Sequence, residues 1–406
     1  MDTRGTSERH VITNGHVVTP FERIPQGCLC VEDGKIVCLG SQERTAECCA
    51  WRDTSDAIDA GGGFVIPGLI DTHVCGMLGY DCRQGRQAFS VIGAGLVAHG
   101  VTGFLPTIYL TPSEQALPLL AEVQALRDSG YDGAEILGVH LEGPYLGEKY
   151  RGLALAELLG TPDLECDRQL YARFPSLVKL VTLAPELPGC LPYIRFLKDN
   201  GVKVAIGHSE IDTKEQLNQA VAAGVSHVTH IYNAMAVRHL REAGVDAPGL
   251  ADLALVEDRL SVSVIVDGVH VCPELVDLLV RAKSIDKIVL ITDCFQGTGL
   301  PPGRYTYPDG VEVEVDRSCH RTIPDKLLAG SVLTLNRAVS NTLAFTSLTV
   351  GQAVQMGTYN PARLLGLDGR KGQLRIGFDA DLVVTNEEWE VQMTLVGGRV
   401  AFRAKA

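Results

Sequence analysis

Eight short apolar runs recur through the middle of this 406-residue chain, with helix-like segments between several of them. They read GLIDTHV, VTGFLPTI, ILGVHLEG, LVKLVTLAPE, VKVAIGHS, VSHVTHIY, LSVSVIVDG and KIVLITD. Their spacing is that of βα units, in which each strand is followed by a crossover helix. One connecting segment, SEQALPLLAEVQALRDSG, reads as a helix with a Ser cap, a Glu after it and a closing Gly. Eight strands with helical crossovers are the count of a (β/α)8 TIM barrel, although an open doubly wound sheet shares much of the pattern.

The two ends differ from the middle and resemble each other. From His10 to about Ala60, HVITNGHVVTP and GCLCVEDGKIVCLG read as short strands with an Asn-Gly and an Asp-Gly turn. From Gly372 onward, GQLRIGFDADLVVTNEEWEVQMTLVGGRVAFR is again rich in β-branched residues and punctuated by Gly-Gly and Asn. The predicted α/β fold is thus a (β/α)8 barrel over 63–371, with a small β-sandwich domain built from 1–62 and 372–406. With 46% hydrophobic residues the chain can bury such a core.

Lys and Arg total 36 against 49 Asp and Glu, a formal charge of −13 that argues against nucleic acid or an anionic membrane as partner. An anionic substrate would need a local positive pocket. No run of ~18 apolar residues spans a membrane, and the N-terminus has no apolar stretch behind its charges, so a cytoplasmic protein is expected. The twelve cysteines are scattered and contain no CxxC pair, which favours buried apolar thiols over disulfides or a zinc ribbon.

Residues able to bind metal end several apolar runs: His73, Glu142, His208, His230 and Asp293. In a barrel those ends converge on one face, where active sites sit. A lone histidine at a strand end is more often a hydrogen-bonded structural group, but several on different strands strengthen a ligand reading. A carboxylate and two imidazoles leave a divalent ion an open position for water, so Glu142, His208 and His230 are the first choice of ligands. Side chains alternate along a strand, so His227 is assigned against a helix and His140 to a supporting place below Glu142. Asp293 could take a proton from water and return it to a leaving nitrogen; as an isolated Asp it could equally cap the next element.

The segments PGLIDTHVCG, HLEGPYL, TLAPE, GHS, THIYNAM, REAG, VDGVH, LITD, LAGSVLTLNRAV and NPARLLGL follow one another over about Pro67 to Leu367. In order and style this resembles the N-acetylglucosamine-6-phosphate deacetylases of the amidohydrolase superfamily. The resemblance implies a metal-dependent hydrolase of an N-acetyl amino sugar, in which Glu142, His208 and His230 hold the ion and Asp293 is general base and acid. It implies zinc, or else iron(II), as one or two ions. It also implies substrate contacts at Asn233, Ala234, Arg241, His270 and the Leu328-Ala329-Gly330 turn, and a homodimer in which the arginine comes from the neighbouring subunit. Read alone, Arg241 would be a solvated charge at a helix end.

Two departures qualify the resemblance. Where the family carries a histidine shortly after the EGP turn, this chain offers Leu153 and Ala154, so the acyl group or the sugar could differ. Where a His-x-His pair supports a second metal, this chain has His73-Val74-Cys75. An imidazole and a thiolate on one side of a strand suit a soft ion, and a buried inert thiol is the alternative for Cys75. The rival readings are a deacetylase of an unphosphorylated N-acyl sugar conjugate and a catalytically silent binding protein on the same fold.

Overall fold

The computed structural model describes residues 9–41, 57–152, 156–307 and 310–405. Eight parallel strands lie in the middle of the chain: β1 (Leu69–Val74), β2 (Val101–Tyr109), β3 (Val139–Glu142), β4 (Val178–Leu183), β5 (Lys203–Ile206), β6 (Val225–Val228), β7 (Ser261–Ile265) and β8 (Ile288–Ile291). Each pairs with the next in sequence order. The last returns to the first just past the strand ends, where Val74 bridges Cys294 and the Asp293 amide donates to the His73 carbonyl at 3.1 Å. The sheet therefore closes as a barrel rather than staying open. Every residue of β2 is buried, as expected for a strand covered by helices outside and side chains inside. The floor of the barrel is plugged by Ala362 and Leu365, packed on Ile70, Leu105, Leu137, Leu180 and Ala205.

Both termini complete a separate eight-stranded sheet. Phe64–Pro67 pairs antiparallel with Leu382–Thr385 on one side and parallel with His16 and Val17 on the other. Asp33 and Gly34, with φ of 50° and 74°, form the expected tight turn between Arg23–Glu32 and Lys35–Ser41. The Asn-Gly pair is different: Asn14 and Gly15 lie inside one strand, Arg9–Val18, at a shift in register. This is a bulge, and Gly15 is required because a Cβ there would come within 2.7 Å of Val65. Cys28, Cys30 and Cys38 join Val11 in an apolar cluster, as buried residues should, but Cys30 is disulfide-bonded.

The helix Ser113–Ser129 forms where its periodicity predicts, but Ser113 does not cap it. Pro112 occupies the cap position with φ −57°, and the Ser113 hydroxyl instead bonds the buried carboxylate of Asp167. A neighbouring helix outcompeted the local backbone for that hydroxyl. Among the described residues no helix is long and apolar enough to cross a membrane.

Barrel and terminal sheet are joined by Lys371, 3% exposed, whose ammonium meets Glu135 at 2.7 Å, Asp379 at 3.1 Å and Asp381. Burial disfavours its charge, but the three carboxylates outweigh that and raise its pKa. Lys371→Met would leave Asp381 buried without a cation. The expected loss is about 3–5 kcal/mol by urea denaturation; a change below about 1 kcal/mol would show that the cluster is not a structural joint.

Candidate active site

At the C-terminal mouth of the barrel, six side chains from the ends of five strands converge. Glu142 ends β3, and its Oε1 lies 3.4 Å from His208 Nε2 and 3.2 Å from His230 Nε2. The two imidazole nitrogens are 3.1 Å apart. The other oxygen, Oε2, is 3.2 Å from His73 Nε2, which also lies 3.2 Å from Asp293 Oδ1. Cys75 Sγ is 3.9 Å from the same Asp293 oxygen. Two groups of donor atoms result, Glu142 with His208 and His230, and His73 with Cys75 and Asp293; Glu142 reaches into both.

Strand alternation alone would not bring these residues together. His208, His230 and Asp293 all have left-handed backbone, with φ of 50°, 36° and 50°. In each case the chain turns sharply two residues past the strand end, which swings into the mouth a side chain that extended geometry would direct elsewhere. His227 shows the consequence. On β6 it stands in register with Ala205, which packs in the barrel interior, so it lies inside the barrel, hydrogen-bonded to Ser261 Oγ at 2.8 Å, and not against a helix. His230 escapes the alternation only because the chain turns at that point.

A hydrogen-bonded layer beneath the cluster holds it. His140 is fully buried between Thr107 Oγ1 at 3.2 Å and Thr182 Oγ1 at 2.8 Å, and Thr182 bonds Thr229 at 2.7 Å. Burial, with His73 beside it, pushes the His140 pKa well down, so it serves as a neutral link. Sequence reasoning passed over Asp71. Its carboxylate accepts from the Thr292 hydroxyl at 2.6 Å and from the His73 amide at 3.2 Å, tying β1 to the strand end that carries Asp293. Burial raises its pKa to about 6 against those hydrogen bonds. The available signal was its place two residues before His73, on the same face of one strand. Tyr150 was also missed: its carbonyl accepts from His208 Nδ1 at 2.7 Å, which leaves Nε2 with a lone pair facing Glu142.

The remaining predicted positions surround this centre unevenly. Tyr232 and Ala234 are also left-handed, and Ala236 N donates to Ser209 O at 3.1 Å, so the loop bearing Asn233 and Ala234 is stitched to the one bearing His208. His270 is oriented by Asp267, 2.6 Å from its Nδ1. Leu328-Ala329-Gly330 runs into Ser331, whose amide donates to the Asp293 carbonyl at 3.0 Å, and Gly330 (φ 82°) packs on Phe295 too closely for a side chain. Arg241 is carried on a two-stranded hairpin, His239–Glu242 with Val245–Ala247. Leu153 and Ala154 lie outside the described residues.

The donor set fits a divalent cation. Ligand bonds of ~2.0–2.1 Å in tetrahedral geometry imply ligand atoms about 3.3 Å apart, and the Glu142–His208–His230 triangle has edges of 3.1, 3.2 and 3.4 Å. A His208 lone pair facing a carboxylate is repulsive unless something positive lies between them. Burial lowers the His73 pKa, but Glu142 and Asp293 overcome this and raise it to about 9, another sign that the carboxylates call for positive charge. Burial and the same two carboxylates hold the Cys75 thiol in its neutral form, so only a cation would make it a thiolate ligand. A third acidic group, Glu135, Asp379 and Asp381, already surrounds the Lys371 ammonium.

Comparison with known proteins gives a consistent picture. The amidohydrolase family matches residues 64–401. The chain is 35% identical over 404 residues to N-acetylglucosamine-6-phosphate deacetylase of Bacillus subtilis, covering 98% of each chain. It is 33% identical over 360 residues to the human protein of that name, covering 86% of each. Among solved structures, a variant of the Mycobacterium smegmatis deacetylase in complex with N-acetyl-D-glucosamine-6-phosphate superposes with a TM-score of 0.85 at 28% identity, covering 98% of this chain and 100% of that one.

Proposed function

This chain belongs to the amidohydrolase family, and we propose that within it the chain hydrolyses the N-acetyl group of N-acetylglucosamine 6-phosphate to acetate and glucosamine 6-phosphate. The observation that carries this is the triangle of Glu142, His208 and His230 with Asp293 beside it, in a chain alike over nearly its full length to deacetylases of that sugar.

Glu142, His208 and His230 would hold the divalent ion, zinc or iron(II), and His73 and Cys75 would serve a second. An ion bound there supplies acidified water and an electrophile for the acetyl carbonyl. Asp293 takes the proton from the attacking water and delivers it to the sugar nitrogen as the carbon–nitrogen bond breaks. The Tyr150 carbonyl and Asp71 keep His208 and His73 in their working orientation. Asn233, Ala234 and the Leu328-Ala329-Gly330 segment line the sugar's place, and His270, braced by Asp267, reaches its phosphate with Arg241. The hairpin carrying Arg241 exposes Leu240 and Val245, at 65% and 42%, and the adjoining Val237 at 68%. Their exposure supports a homodimer that covers them and in which the hairpin arm serves the neighbouring subunit, in an enzyme read as cytoplasmic.

The test is acetate release from N-acetylglucosamine 6-phosphate and from unphosphorylated N-acetylglucosamine by the metal-replete protein. The phosphorylated sugar should be preferred about 10²-fold or more in kcat/KM, the worth of one charge-assisted pair and its partners. If neither sugar is cleaved by protein with verified metal content, the reading is wrong.

A further inference from the structure

On the opposite face of the barrel from the active site, a cleft of about 160 Å³ opens among the starts of β5, β6, β7 and β8 and the helix Tyr359–Leu364. Four cations line it, Lys203, Arg259, Lys287 and Arg363, against one carboxylate, Asp286. We propose that this cleft is a second ligand site, for an oxyanion of the phosphate class.

Three observations carry it. First, the chain has a formal charge of −13, so gathering four cations around one concavity runs against its composition; Asp286 and Glu257 offset two of them, which leaves Lys203 and Lys287 to repel each other unless an anion enters. Second, two of the four are held in place while two are left uncommitted. Arg363 is fixed by Asp286 at 2.9 Å, and Arg259 by Glu257 at 2.6 Å, and each bond uses only part of the guanidinium's donor set. Lys203 and Lys287 have no ion-pair partner among the described residues. Third, the wall is a constructed polar surface and not only a ring of mobile side chains. Ser226 and Ser261 line the cleft, and buried His227 holds the Ser261 hydroxyl at 2.8 Å, which in turn donates to the Ser226 carbonyl at 3.2 Å. The volume is several times what one water needs, and guanidinium forks with ammonium groups match a tetrahedral oxyanion better than a spherical halide.

The experiment is calorimetric titration of inorganic phosphate into the holoenzyme with its active site filled by one molar equivalent of glucosamine 6-phosphate, at a protein concentration well above that product's Kd, so that no free monoester is left over to occupy the cleft. Wild type should still bind one phosphate. The Lys203→Ala/Lys287→Ala double variant should bind it at least tenfold more weakly, with an unchanged melting temperature in phosphate-free buffer as the check on folding. Arg363→Lys keeps the charge and loses the fork, and an intermediate loss is expected. A parallel titration with glucose 6-phosphate separates the sources: competition assigns the site to phosphate monoesters, and its failure assigns it to the free ion. Absence of phosphate binding beyond the product-filled site, or equal binding by the double variant, overturns the proposal. If glucosamine 6-phosphate itself does not bind, the deacetylase reading fails, while phosphate binding that the double variant loses still supports the cleft.

Discussion

Asp293→Asn is expected to lower kcat for acetate release by about 10²- to 10⁴-fold, the range for removing a positioned acid–base group. KM and metal content should change little. The substitution is close to isosteric, so contact with His73 Nε2 at 3.2 Å survives while the proton acceptor is lost. Position 293 has φ 50°, and asparagine tolerates left-handed backbone as well as aspartate does. The backbone bonds from its amide to His73 O and from Ser331 N to its carbonyl do not involve the side chain. A folded, metal-replete Asn variant within tenfold of wild-type kcat would remove Asp293 from the proton path.

Glu142→Ala should have the second large effect, acting through metal and not through proton transfer. Losing a partner that merely orients a ligand costs about 10–100-fold in metal affinity, so loss of a direct donor should cost at least about 100-fold. Both donor groups should suffer, because one carboxylate oxygen faces His208 and His230 and the other faces His73. After dialysis against a weak chelator, wild type should retain its ion and the variant should not. A strong chelator should lower the melting temperature of wild type, through loss of ligand-linked stability, and leave that of the variant unmoved. Retention of wild-type metal content by the variant would sink the assignment of Glu142.

These two residues also show how much of the site was readable in advance. Glu142 and Asp293 end apolar runs, and a barrel brings all such ends to one face, so their proximity follows from the strand count and closure. His208 and His230 are found by the same rule, but their inward direction is not, because alternation along VSHVTHIY sets His227 and Thr229 on one face and His230 on the other, so a regular strand could turn only one set inward. A left-handed residue just past the strand end changes that, and although histidine enters this region more readily than most residues, it does so too seldom for the sequence to mark φ of 36° or 50°. Asp71 was passed over because its function lies in a hydrogen bond to Thr292, more than two hundred residues away.

The chain by itself determined whatever depends on local period and order: eight buried runs, the helices between them, like ends that pair into one sheet, and the tight turn at Asp33-Gly34. Those features follow from burial and turn chemistry over a few residues, where neighbours in sequence are the dominant partners. Only the tertiary structure decided the rest. Ser113 bonds Asp167 instead of capping its helix, Asn14-Gly15 becomes a bulge because Val65 crowds it, and His227 turns into the barrel. In each case a group distant in sequence won the competition for a side chain or a backbone angle. The paired donor groups around Glu142 are of the same kind, because barrel closure sets the distances between strand ends and no segment encodes them alone.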